Sequence, residues 1–198
     1  MTGLDEIKPQ LSRFARTLRR ALGRARRSQR YRRHGIEGVA MELRTMTSGH
    51  AGLLRAHGAA VGRGCSIAGP IHIANASGGF VNLVIGARVR LGPDLHLDLT
   101  DSVTIGDNAT LDMRCTLVTH TGGGNWSADA VRPLRVAPVI VGPGASLAAD
   151  VTLLPGVTVG AGAKVGPRAL VGSDVGAGSG VVTPPSGPLI ARSREGRR

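Results

Sequence analysis

At 198 residues the chain has room for one domain with a core plus a short appendage, and only 2% of it is aromatic against 30 glycines and 11 prolines. So few large rings exclude an aromatic-filled bundle or sandwich and require a narrow core lined with small aliphatics. The formal charge of +12 does not make it a nucleic-acid binder: Lys8 and ten arginines fall in residues 1–33 and four arginines in 192–198, while residues 34–191 balance ten basic with ten acidic side chains.

In chain order, Leu4, Ile7, Leu11, Phe14, Leu18 and Leu22 recur at spacings of three and four, with Arg13, Arg16, Arg19, Arg20 and Arg24 around them. This predicts a basic amphipathic α-helix over 1–33. Its stripe suits packing on the body or on other copies of the chain, and its charge also suits an anionic membrane surface. Nucleic acid is the weaker match, because aromatics are not interleaved with the basic residues. Residues 34–60 carry a mixed pattern and are read as a connecting segment.

From Val61 onward a six-residue repeat takes over. Its lead positions are Val61, Ile67, Ile73, Ile85, Leu91, Leu97, Ile105, Leu111, Leu117, Val141, Leu147, Leu153, Val159, Val165 and Val171, and the next residue is nearly always Gly, Ala or Asp. Three such units make a triangular coil of about eighteen residues, so residues 61–182 predict an all-β, left-handed parallel β-helix of about five coils. Stacked coils supply one another's strand hydrogen bonds and bury a continuous aliphatic column. Gly, Asp and Asn near the corners tolerate the positive φ that branched residues resist. Residues 79–84 and 103–104 read as short insertions at corners.

Cys65 and Cys115 occupy inward fifth positions and read as core. Two cysteines with no ligand spacing make neither a disulfide framework nor a metal site, and fit a reducing compartment. With no apolar run of about eighteen residues and no signal-like core, the chain reads as cytoplasmic, with residues 1–33 able to hold it peripherally at the inner membrane face.

His120, in LVTHTGGG, takes a corner position facing away from the core, just before a long excursion over residues 123–140. A lone histidine is commonly structural, but packing does not call for an imidazole at an exposed corner beside a glycine run and a site-forming loop, so His120 is the candidate catalytic base. Regular stacking puts Gly156 one coil on, leaving open space for a thin acyl-carrier arm, and Thr100 one coil back with Asp98 on the same face. Residues 183–198 read as a proline-punctuated exit and basic tail.

VTIGDNATL, the corner His120, the loop, VIVGPGASL and LLPGVTVGAGAKVG together resemble the maltose, galactoside and exopolysaccharide O-acetyltransferases of the hexapeptide-repeat family, over roughly residues 58–185. The resemblance implies a homotrimer with active sites between subunits and acetyl-CoA in the groove. It implies a histidine that deprotonates a sugar hydroxyl for direct attack on the thioester, with backbone N–H groups holding the oxyanion. Carried over position by position, it assigns Ala149, Pro167, Gly172 and Ser173 to CoA contacts, with Arg192 or Arg194 for the nucleotide phosphates. Asp94 stands where the family carries an acceptor-side Asn, Asp98 is the alternative carboxylate to orient His120, and Trp126 is placed to stack on a sugar ring. Ser146 replaces a family tryptophan, Thr121 a proline after the histidine, Pro167 a small residue, and the closing Gly-Asn-Pro-Ala is missing.

N-acetylation of an amino sugar or xenobiotic would use the same histidine and carrier. A non-catalytic trimeric scaffold needs neither. A zinc-dependent carbonic anhydrase on the same solenoid needs three gathered histidines, whereas His96 and His120 stand 24 residues apart with no third close by; no metal is expected.

Overall fold

The computed structural model describes residues 34–122, 134–182 and 190–192. The helix expected over 1–33 and Trp126 lie outside the described residues. The chain divides into two compact units, Met1–Val39 and Ala40–Arg198. In the first, residues 34–39 are helical; in the second, residues 40–43 are helical and a short helix α1 (His50–Ala56) follows before the first strand. The connecting segment is thus largely helical, a pattern the short apolar spacing did not resolve.

The second unit is a left-handed parallel β-helix with three walls. Wall A stacks β1 (Ala60–Val61), β4 (Leu83–Ile85), β7 (Val103–Ile105), β12 (Val139–Val141) and β15 (Thr158–Val159). Wall B stacks β2 (Ser66–Ile67), β5 (Arg90–Leu91), β8 (Thr110–Leu111), β13 (Ser146–Leu147), β16 (Lys164–Val165) and β18 (Gly180–Val182), and β19 (Ile190–Arg192) returns antiparallel on β18. Wall C stacks β3 (Ile71–Ala74), β6 (Leu95–Asp98), β9 (Thr116–Leu117), β14 (Thr152–Leu153) and β17 (Leu170–Val171). The tail therefore begins with a paired strand, where the sequence suggested only an exit.

Register follows the repeat. Ile73, Leu97, Leu117, Leu153 and Val171 align along wall C and all are buried. Burying one such side chain is worth about 1.5–3 kcal/mol. Only Val61 and Ile67, in the first coil, are half-exposed among the leads. Cys115 is buried and its thiol is pushed up to about 11 by that burial, whereas Cys65 is half-exposed, because the first coil lacks a neighbour on one side. Glycines following the wall A leads serve close approach: a Cβ on Gly106 would fall 2.6 Å from the Pro143 nitrogen of the next coil, and one on Gly142 2.7 Å from the Ala161 nitrogen.

Both insertions sit earlier than the sequence suggests. Residues 83 and 84 belong to β4 and residues 103 and 104 to β7, where Val103 and Thr104 pair with Leu83 and Val84. The surplus residues fall in the preceding corners, and they are anchored by Phe80 and Leu99, both fully buried. An aliphatic lead cannot reveal this, because a buried corner residue mimics one.

Candidate active site

The corner between walls C and A gathers polar side chains around one carboxylate. Asp98 ends β6 with only 9% of its surface exposed. One oxygen accepts hydrogen bonds from the Asn75 amide (2.8 Å), the Thr100 hydroxyl (2.8 Å) and the Thr100 backbone N–H (3.2 Å). The other accepts from the backbone N–H groups of Thr119 (2.9 Å) and His120 (3.0 Å) and from the Thr119 hydroxyl (3.0 Å). Burial pushes this carboxyl up, but the hydrogen bonds from Asn75, His120 and Thr100 overcome it and hold Asp98 well below the usual carboxylate range. It is an anion throughout the neutral range.

His120 Nδ1 lies 2.5 Å from the Asp98 Oδ2 and 3.1 Å from the Thr100 hydroxyl oxygen. An ionised carboxylate only accepts, so Nδ1 carries the hydrogen, and in the neutral imidazole Nε2 is left with its lone pair. The His120 side chain is 35% exposed. A positioned, partly solvent-open base is the chemical content of this corner.

Local folding explains the placement. The wall C register puts Thr100 beside His120 and Gly156 one coil further on. Strand β10 (His120–Thr121) then leaves the solenoid and pairs antiparallel with β11 (Arg135–Val136), His120 opposite Val136 and Thr121 opposite Arg135. The excursion thus closes beside the histidine, and it rejoins wall A at Val139 in β12, two residues before the lead at Val141.

That return corrects one expectation. The space over Gly156 is not open: a Cβ there would fall 2.9 Å from an Arg135 guanidinium nitrogen and 3.3 Å from the Ala137 Cβ. Gly156, at φ 84°, makes room for the returning chain as well as for its own left-handed turn.

The remaining sequence-predicted residues, Arg192 aside, divide between the two edges of wall C. Gly172 and Ser173 continue the His120 edge in the last coil, both exposed. Ala149 and exposed Pro167 stack on each other at the opposite corner, between walls B and C, where the Arg168 N–H donates to the Ala149 carbonyl. Asp94 shares that far corner, four residues and about 13 Å of strand from Asp98. Its carboxylate is 3.7 Å from His72 Nε2, so it is not brought together with His120. Arg192 lies in β19, opposite Gly180. Sequence reasoning missed Asn75, Thr119 and Arg135. Asn75 and Asp98 are 23 residues apart, off the eighteen-residue period because an insertion intervenes, and Arg135 follows an excursion with no repeat to count.

Among the described residues no group of three His, Cys, Asp or Glu is arranged to hold a metal ion, and no helix is long and apolar enough to cross a membrane.

The sequence matches no protein-family model and no curated protein. Solved structures do match. A hexapeptide-repeat-containing acetyltransferase of Vibrio cholerae superposes with a TM-score of 0.66 at 20% identity, covering 87% of this chain and 93% of its own; the same protein has been solved with acetyl-CoA. A galactoside acetyltransferase in complex with coenzyme A gives 0.57 at 15% identity, covering 79% and 77%. A Bacillus cereus N-acyltransferase variant, solved with dTDP and coenzyme A, gives 0.55 at 18%, covering 69% and 75%. The chain has the fold of the hexapeptide-repeat acetyltransferases.

Proposed function

We propose that the protein transfers an acetyl group from acetyl-CoA to a sugar hydroxyl, with His120 as general base and Asp98 as its positioning partner. The observation that carries this is the 2.5 Å contact between His120 Nδ1 and Asp98, which fixes the tautomer and leaves Nε2 free. Nε2 takes the acceptor's hydroxyl proton as its oxygen attacks the thioester carbonyl. The C–S bond then breaks, and the CoA sulfur leaves with the proton held on the imidazolium. The Asp98 anion favours that imidazolium, as a buried carboxylate does for other catalytic histidines.

Support for the co-substrate comes from the acetyl-CoA and CoA complexes of proteins sharing this fold. In this reading Ala149, Pro167, Gly172, Ser173 and Arg192 contact the carrier, Asp94 and Trp126 the acceptor, and Gly156 admits Arg135 to the edge of the site. The protein works as a homotrimer with sites between subunits, and residues 1–33 rest on an anionic inner-membrane surface where polysaccharide precursors are made. An amine acceptor is the second reading, favoured by the N-acyltransferase of the same fold; the same Nε2 would serve it.

The test is thiol release from acetyl-CoA by wild type and His120→Ala across sugar, amino-sugar and nucleotide-sugar acceptors. Acceptor-dependent release that falls by about 10²–10⁴-fold in the variant is expected. Equal, acceptor-independent background in both proteins overturns catalysis and leaves a scaffold.

A further inference from the structure

The outer face of wall C carries, beyond the His120 corner, two histidines and an arginine to which the reaction above gives no role. Strand alternation turns Ile71 and Ile73 inward and His72 outward, and pairing sets His72 directly beside His96. The two rings stack at 4.3 Å with 6° between their planes. They line a groove of about 400 Å³ with Arg44, and its floor runs past Ala74 and Leu97 to Asp98.

The charged groups in and beside this groove are satisfied unequally. Asp94 stands 3.7 Å from His72 Nε2 and answers that ring. Arg44 has no hydrogen-bond or ion-pair partner among the described residues, and His96 is shifted below the ordinary imidazole value by partial burial first, then by His72 and Arg44, against the pull of Asp94. Both carboxylates here are engaged, Asp98 by the donors already described and Asp94 by His72, which leaves the Arg44 guanidinium and the neighbouring imidazole N–H with donors open to an anion.

We infer that the acceptor carries an anionic group, phosphate or carboxylate, which Arg44 and His96 bind while a hydroxyl reaches His120. This rests on the transferase reading and specifies its substrate class. The spacing is on the scale of a small ligand: His96 pairs with Thr116, and His120 follows Thr116 by four residues, about 13 Å of chain measured along the backbone. A sugar phosphate, sugar diphosphate or uronate spans much of that interval. The rings are parallel rather than convergent, and no metal-holding group is present among the described residues, so an anion fits the cluster better than a cation.

The experiment compares acceptors differing only in the anion: glucose with glucose 1-phosphate, and galactose with galacturonate. In wild type the anionic member is expected to have a kcat/KM more than tenfold above its neutral parent. That ratio falls about tenfold in Arg44→Gln and in His96→Gln, the loss typical of one charge-assisted hydrogen bond. Arg90→Gln, which removes an exposed charge from wall B, controls for the general field and leaves the ratio unchanged. Preference for the phosphate or for the carboxylate identifies the anion's source. A wild-type ratio near one, or an equal loss in Arg90→Gln, overturns the subsite while acetyl transfer to the neutral sugars keeps the transferase. If nothing is acetylated, titration calorimetry with glucose 1-phosphate and galacturonate decides: binding weakened about tenfold in Arg44→Gln upholds the subsite without the transferase, and no binding of either at millimolar concentration overturns it.

Discussion

The two edges of wall C are made from the same repeat and have opposite electrostatic logic. At the corner between walls B and C, Asp94, Arg114, Asp150 and Arg168 succeed one another in adjacent coils, all with φ between 56° and 62°. Their charges alternate, and Arg114 donates to both carboxylate oxygens of Asp150, from Nε at 2.6 Å and Nη2 at 3.0 Å. At the corner between walls C and A, one buried carboxylate receives nearly every donor in reach and aims an imidazole outward. Exposed charges that answer each other hold a turn; a buried charge whose partners all point one ring toward solvent prepares a reaction.

Asp98→Asn tests the reactive edge most severely. The asparagine amide cannot accept from every donor now facing Asp98, and its NH₂ would turn toward Nδ1 or the Thr119 N–H. We expect kcat/KM to fall by about 10²-fold or more, an effect of the size general-base catalysis supplies, and stability to drop by about 3 kcal/mol through broken charge-assisted hydrogen bonds. The pH dependence has a definite sign. A carboxyl depressed in the folded state contributes stability that is complete above its unfolded value, about 3.9, and lost as pH falls through the lower folded value. Urea unfolding from pH 7 to 3 should therefore show the gap between wild type and variant constant at first and closing only below about pH 4. A gap that closes between pH 7 and 5 would break the comparison.

Gly156→Ala is the intermediate case on the same edge. A left-handed alanine costs about 1–2 kcal/mol, and its Cβ would meet the Arg135 guanidinium. Urea midpoints should register that loss, with kcat/KM reduced several-fold because the Arg135 side chain is displaced beside His120. Activity untouched despite the lost stability would mean that the returning strand closes the site without shaping it.

How far these edges could be read without coordinates depends on the period. The aliphatic leads make each coil countable, so the solenoid, its five turns and the outward corner position of His120 were legible. Thr100 and Gly156 followed from the same counting. Counting fails where the chain leaves the repeat: the surplus corner residues around Phe80 and Leu99 shift the register, which hid Asn75, and the excursion after Gly122 hid Arg135 and with it the filling of the space over Gly156. The left-handed corners held by Arg88, Arg114 and Arg168 were also hidden, since arginine lacks the signature of glycine or asparagine even though, unbranched at Cβ, it tolerates the turn.

The paired edge carries the smallest expected effect, and that is its value as a control. Arg114 and Asp150 are exposed enough for water and salt to screen them, although each raises the other's preference for its charged form: hydrogen bonding to Asp150 pushes the Arg114 guanidinium up, and Arg114 holds the Asp150 carboxyl down. Arg114→Ala should leave kcat/KM for any acceptor unchanged and lower the thermal midpoint by no more than a degree or two, an effect that vanishes in about 0.5 M salt. Exchanging both residues, Arg114→Asp with Asp150→Arg, should restore the midpoint only in part, because the pair's own attraction returns while the new aspartate faces Asp94 and the new arginine faces Arg168. If the single variant instead lowers kcat/KM as Asp98→Asn does, the Arg114–Asp150 pair itself takes part in holding carrier or acceptor at that corner.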